Sequence, residues 1–202
     1  MNTRPHLEII IGTMFSGKST ELIRRINRYE IAGKTVQLFK PTIDDRYSLE
    51  HVTSHDGLKR DVTYIKDMDE LYGHLDSKID VLGIDEIQFL ESVVVELCNQ
   101  YANDGGIVVV SGLLKDFRDE YFPFKDGKKN MGDLLCDADH VTYLKAICTY
   151  KDNGKKICGN EATRVQRFID EEVADYDSPV IQVGGTEAYA PRCRNHFQFY
   201  EK

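Results

Sequence analysis

Leu7-Glu8-Ile9-Ile10-Ile11-Gly12-Thr13-Met14-Phe15-Ser16-Gly17-Lys18-Ser19-Thr20 is the stretch that decides how this chain folds. Leu7 to Ile11 is a short isoleucine-rich run broken only by Glu8, which reads as a β-strand. It meets a glycine-bearing turn at Gly12, and beyond the turn Leu22, Ile26 and Tyr29 recur at helical spacing. Gly33 is a suitable stop for that helix. Strand, loop and helix therefore follow one another without a gap, and the loop Gly12 to Ser19 fits G-x-x-x-x-G-K-[ST].

Each residue type in that loop has a separate task. Glycines let successive backbone N–H groups converge on phosphate oxygens, and the helix opening near Lys18 presents its positive end. Lys18 is placed to reach β and γ phosphates, and Ser19 offers a hydroxyl to Mg2+. Gly12, Thr13, Met14, Phe15, Ser16, Gly17, Lys18, Ser19 and Thr20 are thus expected to hold a nucleoside triphosphate, with the loop silent on which one.

Outward from the loop, Thr35 to Phe39 reads as a second strand closed by Pro41, and Val81 to Ile84 as another. A helix is expected from about Ser92 to Ala102 and a further strand at Ile107 to Val110, after Asp104-Gly105-Gly106. Strands that alternate with helices and lack side-chain alternation indicate an α/β fold with a parallel sheet covered on both faces. The strand Val81 to Ile84 ends in Asp85-Glu86, at the edge where open parallel sheets place their ligands. Asp85 suits a Mg2+ ligand, direct or through water, and Glu86 a general base that orients a nucleophile.

From Leu113 to Gly132 charged and aromatic residues follow one another with no clean period, which reads as a long loop of the functional kind. The chain then divides into an ATP-binding part over residues 1–147 and a small part over 148–202. Five cysteines, an odd number, in a chain whose start is not expected to act as a secretion signal argue for metal ligands or buried thiols over disulfides. Cys148, Cys158, Cys193 and His196 can supply a tetrahedral Zn2+ set, although the Cys148 to Cys158 interval is longer than a C-x-x-C pair and reads as a lysine-rich hairpin set between ligands. Cys98 and Cys136 lie in apolar helical stretches and are expected in the core.

The 202 residues, 41% hydrophobic and 30% charged, contain no apolar run near the ~20 residues of a membrane-spanning helix, so a cytoplasmic protein without a membrane partner is expected. A net charge of -8 speaks against a general nucleic-acid binder. Two other readings share parts of the pattern: a P-loop ATPase acting with nucleic acid, and a non-enzymatic zinc module that would leave the loop and both acids without a task.

Six ordered blocks narrow these choices. Gly12 to Thr20 with Glu21-Leu22-Ile23-Arg24-Arg25, Lys40-Pro41 with Ile43-Asp44-Asp45-Arg46-Tyr47, Ser54-His55-Asp56-Gly57, Asp85-Glu86-Ile87-Gln88-Phe89, Val183-Gly184-Gly185 through Tyr189, and Arg192-Cys193-Arg194 are collinear. In this the chain resembles the thymidine kinases of the small, zinc-containing type. The resemblance implies transfer of the ATP γ-phosphate to the 5′-hydroxyl of deoxythymidine, with deoxyuridine a possible second substrate. It makes Glu86 the base, adds Asp85, Glu86 and Gln88 to the ATP contacts, and puts Ser19, Asp44, Arg46 and Asp85 on the phosphate and Mg2+ side. It places thymine among Met14, Phe89, Leu113, Phe117, Phe124, Val180, Gly184 and Tyr189, under a covering loop at about 113–132. A structural Zn2+, a homotetramer and feedback inhibition by dTTP belong to the same implication. This chain departs from the family in having Gly112-Leu113-Leu114 before Lys115-Asp116, and a longer Phe117 to Phe124 stretch.

Overall fold

The protein is described from a computed structural model that covers residues 4–42, 61–152, 154 and 156–200. Strand β1 (His6–Gly12) passes through the phosphate loop into helix α1 (Lys18–Ile31), and β2 (Val36–Pro41) and β3 (Thr63–Ile65) follow. Helix α2 (Met68–His74), β4 (Val81–Ile84), a short 3-10 turn (Ile87–Phe89), α3 (Val93–Asn103), β5 (Ile107–Leu113), α4 (Met131–Asp137) and β6 (His140–Leu144) complete the larger part. The six strands form one sheet in the order β3-β2-β4-β5-β1-β6, every neighbouring pair parallel.

Consecutive side chains of the central strands enter different cores, which is why these strands read as unbroken apolar runs. Ile9, Ile11, Leu82, Val108 and Val110 pack on one face with Val94, Val95 and Cys98 of α3. Ile10, Val81, Ile107 and Val109 pack on the other with Leu22, Ile26 and Tyr29 of α1. Because the strands run the same way, the segments after β1, β2, β4 and β5 all leave from one edge of the sheet, and that edge assembles the site.

After Leu144 the chain changes to short antiparallel pairings. Strand β7 (Ala146–Ile147) pairs with β10 (Glu161–Ala162), and β8 (Lys151–Asp152) with β9 (Lys156–Ile157), the latter being the hairpin expected between Cys148 and Cys158. Strand β11 (Arg164–Ile169) lies between β12 (Glu172–Val173) and β13 (Tyr189–Arg192). Two small clusters form the apolar core here, Ala146, Ala162, Cys148 and Cys193 in one and Val165, Ala188 and Tyr189 in the other, little apolar surface for a part that would stand by itself.

Gly12 shows how tightly the loop is set against the sheet. A Cβ there would lie 2.5 Å from the Leu144 carbonyl oxygen of β6 and 2.6 Å from Ser16 Oγ. Gly12→Ala is therefore expected to lower stability by about 1–3 kcal/mol, the usual cost of overpacking, and to weaken nucleotide binding. Gly73→Ala, whose added methyl meets nothing within 4 Å, should be neutral or slightly stabilising. Urea unfolding of the two variants measures the contrast, and equal midpoints would contradict the packing described.

Candidate active site

The loop between β1 and α1 is held by its own groups. Gly17, at the helix N-cap, has φ 84° and Phe15 has φ 65°, two left-handed residues in one short turn, a backbone shape that gathers N–H groups into an anion-binding concavity. Ser16 Oγ donates to the Thr13 carbonyl at 2.8 Å, and Lys18 Nζ donates to the same oxygen at 3.1 Å. Lys18 is buried, and burial pushes its ammonium below the ordinary value against the pull of Glu86 and Asp85. Among the described residues the buried Thr13 hydroxyl has no partner, a polar group left for a ligand.

Asp85 is the hub beneath this loop. Its carboxylate accepts from Ser19 Oγ at 3.0 and 2.9 Å, from Ser111 Oγ at 2.5 Å and from Lys40 Nζ at 2.7 Å. Burial works against its charge, but the Lys40 ammonium and the Ser111 and Ser19 hydroxyls together hold the carboxyl below its usual range. Lys40 in turn is raised above the ordinary lysine value, because Asp85 and Glu86 outweigh its burial. A charged carboxylate beside a serine hydroxyl at a helix N-terminus is a hard-oxygen donor set of the type that takes Mg2+.

Glu86 follows with φ 53°, in the left-handed region, and this turn carries its side chain away from Asp85's pocket and onto the wall of a cavity of about 240 Å³. Met14 of the phosphate loop, Lys40, Phe89, Leu113, Phe117, Phe122, Val180, Gly184 and Tyr189 also line it. One wall comes from the segment between β5 and α4, which is folded around Asp116. That carboxylate accepts from the backbone N–H of Arg118 and Glu120 at 2.9 and 3.1 Å and from the Arg118 guanidinium at 2.8 and 2.6 Å. The facing wall, Val180 to Gly184, is held by buried Arg167, which donates to the Pro179 carbonyl and to Gln182 Oε1. The same guanidinium lies 5.1 Å from the Phe117 ring centre, so one side chain touches both walls.

A second cluster lies in the small sheets. Ligand atoms of Cys148, Cys158, Cys193 and His196 all fall within 4.8 Å of one another. Cys148 Sγ is 3.6 Å and Cys193 Sγ 3.4 Å from His196 Nδ1, and the Cys158 and Cys193 sulfurs are 4.0 Å apart. Four donors at Zn–S and Zn–N bond lengths around a tetrahedral ion stand roughly 3.5–3.8 Å apart, so three thiols and an imidazole at these spacings fit Zn2+. Tyr150 stacks on the His196 ring at 4.1 Å and fixes its plane.

Met14, Phe89, Leu113, Phe117, Val180, Gly184 and Tyr189, which the resemblance placed around thymine, all line this one cavity. Phe124 is a correction: it is 2% exposed within the main core and does not line the cavity, whereas Phe122, two residues earlier, does. Gln88 is likewise fully buried, with its amide committed to Glu86 and Leu113, not turned toward the phosphate loop. Cys98 is buried as expected, but Cys136 is exposed on α4. Asp44, Arg46 and the Ser54 to Gly57 block lie outside the described residues. Sequence reading missed Lys40, Ser111 and Arg167. For Lys40 a signal existed, since it ends the strand that pairs with β4 and so shares an edge with Asp85.

A family model for thymidine kinase matches residues 5–197. Among solved structures, the ATPase DotB of Legionella pneumophila superposes with a TM-score of 0.45 at 13% identity, over 73% of this chain and 42% of that one. This chain spans less than half the length of DotB, and a likeness that distant bears on neither activity nor partners. No helix among the described residues is long and apolar enough to cross a membrane. The thymidine kinase match, in contrast, takes in every strand and helix described above, and the chain therefore belongs to the thymidine kinase family.

Proposed function

We propose that this protein transfers the γ-phosphoryl group of ATP to the 5′-hydroxyl of deoxythymidine. The observation that supports this reading best is the placement of Glu86. It lies on the wall of an aromatic and apolar cavity that also takes in Met14 of the phosphate loop, while its neighbour Asp85 is bonded to Ser19 at the start of α1. Phe89, Phe117 and Tyr189 are suited to a flat base, and Met14 to its edge. One oxygen of Glu86, Oε2, accepts from Gln88 at 2.8 Å, which leaves Oε1 for the substrate hydroxyl.

The steps assigned to this chain's residues are few, as phosphoryl transfer requires mainly positioning and charge stabilisation. The loop amides and Lys18 hold the triphosphate. Ser19 and Asp85 would hold Mg2+, with Asp44 and Arg46 on the same side by kinship, and the ion supplies neutralisation of the phosphate oxygens. Glu86 takes the proton of the 5′-hydroxyl as that oxygen bonds to the γ-phosphorus, and the β–γ bridging oxygen leaves with its electron pair on ADP. The walls from residues 114–130 and 180–184 keep water from competing with the sugar hydroxyl. Kinship with the family extends the reading to deoxyuridine as a weaker substrate, a homotetramer and inhibition by dTTP. In the same reading residues 148–202 form a small part stapled by one structural Zn2+.

Incubation with γ-labelled ATP and a panel of nucleosides tests the reaction: label should appear in deoxythymidine monophosphate. Release of free phosphate with no nucleoside product, stimulated by DNA, would instead make the protein a nucleic-acid-dependent ATPase. Glu86→Gln should retain ATP binding and lose roughly 10²-fold or more in turnover, the ordinary scale for a general base. Near-normal turnover would remove Glu86 from that position.

The metal cluster gives a separate test. Elemental analysis of gently purified protein should find one Zn2+ per chain. Strong chelation, or Cys158→Ser, should raise the nucleoside KM, because Val180 to Gly184 belong to the C-terminal segment, while ATP affinity stays within about twofold. Absence of zinc, or an equal effect on both ligands, would count against a stapling metal.

A further inference from the structure

The geometry points to Gln88 as the residue that positions the base and couples it to the substrate-covering segment, and not as a contact for the nucleotide. This rests on the reading of Glu86 as base. Gln88 is fully buried, and both ends of its amide are engaged. Nε2 donates to Glu86 Oε2 at 2.8 Å, and Oε1 accepts from the Leu113 backbone N–H at 3.1 Å. Leu113 is the last residue of β5, lines the cavity, and leads directly into the wall built around Asp116. One side chain therefore spans from the base to the root of the segment that covers the substrate.

Two further features show that the arrangement is built around this amide. Glu86 sits at φ 53° and ψ 42°, a conformation that a glutamate adopts only when its surroundings hold it there. The turn it opens, closed by Phe89 N–H donating to the Glu86 carbonyl at 3.1 Å, brings Gln88 round to face the Glu86 carboxylate. On the other side, Gly112 leaves room: a Cβ there would lie 2.6 Å from Gln88 Oε1.

A donor on Glu86 Oε2 keeps that oxygen from rotating toward the substrate and directs the other at it. The charged groups that surround Glu86 are Lys18 at the start of α1, Lys40 on β2 and the neighbouring Asp85, and Lys115 and Asp116 of the covering segment line the same cavity. None of these is hydrogen-bonded to Gln88 among the described residues, so a change at Gln88 reaches Glu86 by a route separate from theirs.

Gln88→Glu is the sharpest test, because it keeps the size and the acceptor for Leu113 and changes only the donor facing Glu86. The replacing side chain has no N–H to offer Glu86 Oε2, so the base loses its anchor while the contact with Leu113 stays. At neutral pH kcat should fall about tenfold or more with the KM for ATP within about twofold. Gln88→Met, which removes both bonds without adding charge, should lower kcat and also raise the nucleoside KM through Leu113. Normal kcat in both variants would overturn the inference. So would a KM for ATP that rises in step with the loss of kcat, the signature of a nucleotide contact. Glu86→Gln measured alongside separates the two levels: if it turns over normally the base assignment fails, and if it collapses while the Gln88 variants do not, only the positioning inference fails.

Discussion

The carboxylate of Asp85 is a charge placed almost out of reach of water, and such a charge persists only where partners satisfy it. Its partners come from three places in the chain: Ser19 from the first turn of α1, Lys40 from the end of β2 and Ser111 from β5. Meeting the needs of one buried acid thus fixes the position of the phosphate loop relative to three strand ends. Breaking a partner would leave an uncompensated charge in the interior, so the loop, the strand edge and the Lys40 side chain stand or fall together.

From that fixed point the molecule divides into a rigid half and a composed half. The phosphate loop is set against the sheet so closely that Gly12 has no room for a methyl. The cavity beside it is made by segments that no regular element dictates: the Asp116-centred wall, and the Val180 to Gly184 wall held by Arg167. Arg118 and Phe117 of the first wall also contact Tyr176 and Tyr200, which ties that wall to the C-terminal segment. The cysteine cluster lies among the small strands that follow β6, where it shares a small core with Ala146 and Ala162. An overall charge of -8 is compatible with a triphosphate ligand because Lys18 and Lys40 are concentrated at the strand edge.

Much of the first half was legible in the sequence, because its signals are local. The run Leu7 to Ile11, the glycine loop and the Leu22, Ile26, Tyr29 spacing mark β1 and α1, and the acid pair after Val81 to Ile84 follows from strand position alone. The helix expected at Ser92 to Ala102 is observed at Val93–Asn103, and the strand Ile107 to Val110 runs on to Leu113. The three-residue β3, the seven-residue helices α2 and α4, and β6 gave no clear periodic signal, being too short or, for β6, exposed at the sheet edge. Phe122 and Phe124 differ in no property that a sequence shows. Both pack in the main core, and it is the tertiary fold that lets Phe122 also line the cavity. Ser111 and Arg167 belong to the same class, since their importance comes from partners 26 and 15 residues away.

The most direct test of the account is a crystal structure with a non-hydrolysable ATP analogue, Mg2+ and deoxythymidine bound together. The account predicts the triphosphate on the amides of Gly12 to Ser19, the base between Phe117 and Tyr189, and the 5′-hydroxyl within hydrogen-bonding distance of Glu86 Oε1. A nucleoside seated away from Glu86, or a triphosphate away from that loop, would contradict it.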